Sequence, residues 1–253
     1  MTRHIDSISF ALALALTSIG GAGLAHDANS HTEGVKSEGS NTVKATYDIV
    51  HTRIKVDGQF AVFHMAVSGK AGILKPKRTG KLAGSQVFSY VWPTSIDPSA
   101  VGFEAKTGIL AFAVTAHPDF DDTPLFDENG DGDLTNDGNV WHSHWVVLQP
   151  DEACGAGALK VVDIPNGHKP KLPKTWPGLP LLIDSPGWSP VFKEHTVEVR
   201  VPFDDIGKVT AASFDGVTAG LRVNASVHSP LLCVADVFKV ASGNLSLPGK
   251  VHQ

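Results

Sequence analysis

The feature that most constrains the fold of this chain is a long succession of β-type segments with no helical pattern between them. Segments such as TYDIVHTRIKV, QFAVFHMAV, ILAFAVTA and HTVEVRVPF are rich in valine and in aromatic residues, which favour strands. No window of roughly 11 to 18 residues after the N-terminal region repeats apolar residues at the helical period. Strands separated by turns rich in glycine, proline and aspartate predict an all-β fold, an antiparallel β-sandwich with long inserted loops.

The N-terminus has the composition of a secretory signal. Arg3 is followed by an apolar run at residues 8–16 and by small residues at 23–25. That run is about half of the roughly 20 residues that a membrane-spanning helix needs. We therefore expect residues 1–25 to be a cleaved signal peptide, the protein to be periplasmic or secreted, and the chain to lack a membrane span.

The rest of the chain divides into a leader and one domain. Residues 26–42 are polar and show no apolar period, so they are predicted to be a disordered leader. Residues 43–253 are predicted to form a single β-sandwich domain, because all-β domains commonly reach this size. Cys154 and Cys233 are the only two cysteines, and export to an oxidising compartment favours a disulfide between them over two buried thiols.

Charge is distributed unevenly along the chain. The net charge of −5 argues against a nucleic-acid partner. Between Thr107 and Leu159 there is no lysine or arginine, although ten of the 26 acidic residues lie there. Carboxylates without basic partners repel one another unless solvent screens them or a cation neutralises them. This acidic stretch therefore indicates a cation site.

Residues 127–135, DENGDGDLT, resemble the first nine positions of the calcium-binding loop of an EF-hand. The flanking helices of an EF-hand are missing, since Pro118 and Pro124 precede the loop and the strand-like NVWHSHWVV follows it. Gly138 stands where the loop pattern places its bidentate glutamate. The resemblance implies a Ca²⁺ ion held by Asp127, Asn129, Asp131 and the carbonyl of Asp133, with Asp137, Asp119, Asp121 or Asp122 completing the coordination. The alternative is a solvated acidic turn.

Histidines adjoin this loop. His142 and His144 are two residues apart in a predicted strand, so their side chains project from the same face. His117 ends the preceding apolar strand and is predicted to approach them if the two strands are neighbours, and His64 is a fourth candidate. Three nitrogen ligands with an open or carboxylate position suit copper or zinc. The alternative is a pair of structural histidines opposite buried tryptophans.

A further copper-binding possibility depends on the signal cleavage. A cut after Ala25 would make His26 the mature N-terminus, where the amine and the imidazole together can chelate copper. In this one residue the chain resembles exported copper proteins with an N-terminal histidine brace.

Near the C-terminus, EVRVPFDDIG at residues 198–207 precedes the strand AGLRVNASVH. This arrangement resembles the closing strands of DOMON and family-9-type carbohydrate-binding sandwiches. The resemblance implies a β-sandwich that binds a sugar or haem, but it identifies no binding residue in this chain.

These observations lead to three hypotheses. The leading one is an exported metal-binding β-sandwich whose calcium-type loop lies beside a histidine-lined site for a metal ion or a ligand. The second is a calcium-stabilised carbohydrate-binding module or sensor, in which Trp92 and the tryptophans of the proline-rich segment 165–190, Trp176 and Trp188, stack on sugar rings. The third is a metal-dependent hydrolase that uses His142, His144 and an aspartate, with His117 and the acidic triplet 119–122 as acid and base.

Overall fold

The structure is a computed structural model that describes residues 34–123, 126–224 and 231–253. The predicted signal peptide and His26 lie outside these ranges. The described residues form strands β1 (Val35–Lys36), β2 (Ile49–Asp57), β3 (Phe60–Val67), β4 (Gln86–Pro93), β5 (Ile109–Ala116), β6 (His142–Pro150), β7 (Leu159–Val161), β8 (Ile183–Asp184), β9 (Val191–Lys193), β10 (Thr196–Pro202), β11 (Ser213–Phe214), β12 (Val217–Val223), β13 (Leu232–Val240) and β14 (Gly249–Lys250), and a short helix α1 (Ile206–Thr210). None of the helices in these ranges is long and apolar enough to cross a bilayer.

Two larger antiparallel sheets make up the domain. The first has the order β1-β2-β3-β10-β9. The second has the order β5-β4-β12-β13-β7-β6, and the additional pairing of β5 with β6 closes it into a six-stranded barrel. β8 extends the barrel wall, because it pairs with β6 on the same edge as β7. The prediction of an all-β antiparallel fold is confirmed, whereas one of the sheets closes on itself instead of lying open as in a simple sandwich.

β2 and β3 form a hairpin, and the strand next to it extends the sheet beyond the expected domain boundary. β2 and β3 pair antiparallel, with Asp57 opposite Phe60, so the tight turn consists of Gly58 and Gln59. β1 adds to the edge of β2 and buries Val35. The segment predicted to be a disordered leader therefore contributes a strand, which pairs with the edge of β2 and buries one valine.

β5 explains why the closed sheet can pack on both of its faces. Its sequence ILAFAVTA is an unbroken apolar run, which is typical of a strand buried on both sides. Phe112 points towards the first sheet, and its ring centroid lies 4.6 Å from that of Phe63 on β3 and 4.9 Å from that of Trp145 on the neighbouring strand β6. Ala111 and Ala113 point into the barrel and belong to a second apolar cluster inside it. One core therefore lies between the sheets and another inside the barrel.

The barrel wall has a narrow seam between β13 and β7. β13 and β7 share a single residue pair, Cys233 with Lys160. The predicted disulfide is confirmed and joins Cys154 to Cys233 at this seam, with their Cα atoms 5.4 Å apart. Lys160 adds ion pairs to Asp151 at 2.9 Å and to Asp163 at 2.8 Å. Covalent and ionic contacts thus supplement a ladder that has almost no backbone pairing of its own.

We predict that replacing both cysteines with serine lowers the free energy of unfolding by about 2 to 5 kcal/mol, because the bridge closes a long loop across the weakest seam of the barrel. Urea unfolding of the oxidised wild type and of the double variant measures the difference. A reductant should bring the wild type to the level of the variant and leave the variant unchanged. Equal urea midpoints for the two oxidised proteins would contradict this role of the disulfide.

Candidate metal centre

The register between β5 and β6 brings the predicted histidines together. Thr115 pairs with His142 and Ala113 pairs with His144, so both imidazoles project from the same face of the sheet as these two β5 side chains. His117 follows the last residue of β5 by one position and keeps the same alternation. Its backbone N–H donates to the carbonyl of Gly138 at 2.7 Å, which fixes the start of the connecting loop against its end.

Asp122 joins the three histidines to form a cluster that lies inside the protein. All four residues are buried, with at most 4% of any of them exposed. Each offers one ligand atom, and these atoms all lie within 4.8 Å of one another. Asp122 Oδ1 lies 3.2 Å from Nε2 of His117 and 3.4 Å from Nε2 of His142, and Oδ2 lies 3.6 Å from Nε2 of His144. Of the predicted site residues, these are the four that the structure brings to one point.

The remaining ring nitrogens are held by other groups. His117 Nδ1 lies 2.8 Å from the carbonyl oxygen of Phe120, and His142 Nδ1 lies 3.1 Å from that of Val140. A carbonyl oxygen can only accept a hydrogen bond, so both Nδ1 atoms carry the hydrogen. The Nε2 atoms of these rings are thereby left as electron-pair donors, as in histidines whose other nitrogen is oriented by a carbonyl next to a metal.

This arrangement could hold a metal ion. Nε2 of His117 and Nε2 of His142 are only 2.9 Å apart, and the Asp122 carboxylate faces both. A proton shared between two of these atoms would satisfy only part of the cluster. Nε2 of His144 has no hydrogen-bond partner among the described residues, and Oδ1 of Asp122 lies near two of their nitrogens without a directed hydrogen bond. A metal ion between the four residues would satisfy all of them at once.

Burial and mutual charge set the protonation of the cluster. Burial lowers the pKa of His144 to about 3, against the attraction of Asp122. Burial also opposes charge on His117, but the adjacent Asp122 carboxylate raises the pKa of that ring above its ordinary value. Burial would raise the pKa of Asp122, yet His144 and His117 hold it well below its usual range. The charged carboxylate and the neutral His144 are therefore both ready to bind a metal.

Two residues that sequence reasoning missed support the histidines. Ser185 Oγ lies 3.1 Å from Nδ1 of His144, so the third ring is oriented as well. Glu128 Oε2 lies 3.2 Å from Nδ1 of His142, and burial together with Asp122 and Asp137 raises the pKa of Glu128 to about 8. Glu128 occupies a non-ligand position of the calcium-type pattern, and Ser185 follows β8 in the proline-rich segment. Neither position carries a signal in the sequence.

The structure does not support calcium in the loop at residues 127–135. Asp127 accepts hydrogen bonds from the backbone N–H groups of Gly130 and Gly132, each at 2.7 Å. Asp131 and Asp133 likewise accept from backbone N–H groups two residues further on. Among the described residues, the histidine cluster is the one group of at least three His, Cys, Asp or Glu whose ligand atoms converge. The loop oxygens fold the loop itself, as in an ordinary acidic turn.

The other predicted calcium ligands have structural roles too. Asn129 donates its backbone N–H to Asp137 Oδ1 at 2.9 Å, and Asp137 donates its own N–H to Asp121 Oδ2 at 2.8 Å. Asp119 lies elsewhere and accepts hydrogen bonds from the N–H groups of Thr79 and Gly80. A glutamate would not fit at position 138, because even a Cβ there would lie 1.9 Å from the carbonyl oxygen of Phe120.

Further sequence candidates lie outside the cluster. His64 contacts Glu198 at 3.4 Å across the first sheet. Trp92 is fully buried, so it cannot stack on a sugar. Trp188 packs partly buried near Phe112, with ring centroids 6.2 Å apart, and Trp176 donates its indole N–H to the carbonyl of Leu181. The proline-rich segment thus packs against the barrel wall, with its tryptophans as anchors.

Comparisons of the chain with protein-family models, with curated proteins and with solved structures find no match. The resemblance of the C-terminal strands to carbohydrate-binding sandwiches stays a prediction.

We predict that Ser185→Ala weakens metal binding about 10- to 100-fold, because the ring of His144 loses the group that orients it. Competition with a chromophoric chelator measures the dissociation constant. Ser89→Ala is the matched control, since Ser89 is an equally buried serine whose hydroxyl donates to the carbonyl of Ala219. Equal weakening by both substitutions would indicate a general loss of packing instead.

We also predict that His144 lowers the stability of the metal-free protein as the pH falls below about 6.5, the ordinary pKa of histidine. The fold keeps His144 neutral, so below this pH the unfolded chain binds more protons than the folded one, and the stabilising contribution is lost progressively towards pH 3. Urea unfolding between about pH 7 and pH 5 should show a shallower slope for His144→Gln than for wild type. Ser89→Ala, at an equally buried residue that does not titrate, should keep the wild-type slope, and identical slopes for all three proteins would refute the assignment.

Proposed function

We propose that this is an exported metal-binding protein that holds one zinc or copper ion with His117, His142, His144 and Asp122. The observation that carries the proposal is the convergence of three imidazole nitrogens and one carboxylate at a buried point. Nitrogen-rich donor sets suit zinc and copper, whereas calcium prefers six to eight oxygen ligands. The proposal therefore places no calcium at this site.

Export is supported by two independent features. The N-terminal sequence has the basic start, apolar run and small residues of a secretory signal. The disulfide between Cys154 and Cys233 is of the kind that forms and persists in oxidising compartments. A periplasmic or secreted metal protein accounts for both features.

Metal titration of the untagged, chelator-treated protein tests the proposal. We expect one zinc or copper ion per chain by calorimetry and by elemental analysis. His142→Ala and Asp122→Asn should each weaken binding at least 100-fold, since each removes a direct ligand. His64→Ala is the matched control, because this histidine pairs with Glu198 in the other sheet. Stoichiometric binding that survives both ligand substitutions would place the metal elsewhere.

Metal should also stabilise the fold. At a free zinc concentration of 1,000 times the dissociation constant, we expect the free energy of unfolding to rise by about 4 kcal/mol. Calcium should leave the melting temperature unchanged, and Asp131→Ala should keep the response to zinc, since Asp131 bonds within its own loop. A calcium-induced rise that Asp131→Ala abolishes would restore the loop as a calcium site.

A further inference from the structure

The closed sheet encloses a cavity of about 460 Å³ that meets the metal centre. Alternate residues of the barrel strands line it, among them Val91, Ala113, Val146, Val217, Ala219 and Leu221. Its volume falls in the range of roughly 300 to 1,000 Å³ that is typical of small-molecule sites.

The polarity of the cavity lining is concentrated at one end. His117, Asp122 and His144 border the cavity there, whereas the remaining lining is almost entirely aliphatic. Ser89 also lines the cavity, but its hydroxyl donates a hydrogen bond to the carbonyl of Ala219. No lysine or arginine is among the lining residues of the described chain. A charged group on a ligand would therefore find its partner only at the metal centre.

The cavity also has an opening. Leu82 and Val237 belong to its lining, yet they are 54% and 56% exposed. Val237 lies on β13 beyond the single pair that joins this strand to β7. A ligand can thus reach the apolar interior beside the seam without unfolding the barrel.

The metal centre presents one side to this cavity. His117, Asp122 and His144 line the cavity, while His142 does not and instead contacts Glu128 at 3.2 Å behind them. A metal ion held by all four residues would therefore face the cavity, where zinc can accept a fifth ligand.

The charge of the metal centre indicates which chemical group a ligand in the cavity would place on the metal ion. Of the direct ligands only Asp122 carries a negative charge, so a divalent ion keeps one positive charge within its own coordination sphere at the end of an apolar cavity. Glu128, Asp121 and Asp137 are further acidic residues near the cluster, but none of them lines the cavity. Uncompensated charge in such surroundings is costly. A carboxylate head group would neutralise it, and an aliphatic tail would match the remaining wall.

We propose that the cavity binds an aliphatic monocarboxylate, with its carboxylate on the metal ion and its tail along the barrel interior. This inference rests on the proposed metal-binding function. At about 30 Å³ per non-hydrogen atom, the share of a water molecule in the liquid, the cavity accommodates roughly fifteen atoms. Decanoate is therefore a suitable probe.

Calorimetric titration of the full chain tests the inference. Zinc-loaded protein should bind decanoate at least tenfold more tightly than metal-free protein, and at least tenfold more tightly than it binds decanol, which has no carboxylate. Affinity should rise about fourfold for each methylene added from hexanoate to decanoate, because each one is buried against the aliphatic wall.

A pair of variants separates the cavity from the metal centre. Ala219→Phe fills the cavity from β12 and should abolish decanoate binding while zinc still binds one ion per chain. Arg222→Phe adds the same side chain to the exposed face of the same strand and should leave both ligands unaffected. Circular dichroism verifies that both variants are folded.

The outcomes separate this inference from the function on which it rests. Stoichiometric zinc binding without decanoate binding would overturn the inference and leave the metal-binding proposal intact. Decanoate and decanol binding equally, with or without zinc, would overturn the role of the metal in holding the head group. Absence of both zinc and copper binding would overturn both proposals.

Discussion

The antiparallel pairing of β5 with β6 is the interaction on which the rest of this structure depends. It closes the six-stranded barrel, and its register places Thr115 opposite His142 and Ala113 opposite His144. A shift of one residue would turn both histidines to the outer face, because neighbouring side chains in a strand alternate between faces. Closure of the barrel and assembly of the metal centre are therefore consequences of the same hydrogen-bond ladder.

The loop between these strands carries the second requirement, a buried negative charge. Asp122 lies in this loop and is 4% exposed, which is costly for a carboxylate unless cations surround it. The neighbouring histidines compensate this charge only in part, since Oδ1 of Asp122 and Nε2 of His144 make no directed hydrogen bond with the described residues. A metal ion would compensate the charge fully, which explains why so polar a cluster is compatible with an interior that is otherwise aliphatic.

The acidic segment shows how a correct prediction and an unsupported one can arise from the same residues. The absence of lysine and arginine between Thr107 and Leu159 indicated a cation, and Asp122 from this stretch lies in the cluster. The DENGDGDLT pattern indicated calcium, yet Asp127, Asp131 and Asp133 bond to backbone amides of their own loop. The spacing of residues along the chain identifies which carboxylates could bind a metal ion. It does not determine whether those carboxylates instead accept hydrogen bonds from nearby backbone N–H groups.

The sequence by itself determined the strand content, the antiparallel class, the disulfide partners and the common face of His142 and His144, because alternation and composition govern these features. It placed His117 beside them only on the condition that the two strands are neighbours. Tertiary structure alone decided that the second sheet closes, that Asp122 rather than Asp119 or Asp121 reaches the histidines, and that Ser185 and Glu128 support them. It also placed an aliphatic cavity against the metal centre. These features depend on which distant strands become neighbours, and no local pattern in a single chain records that pairing.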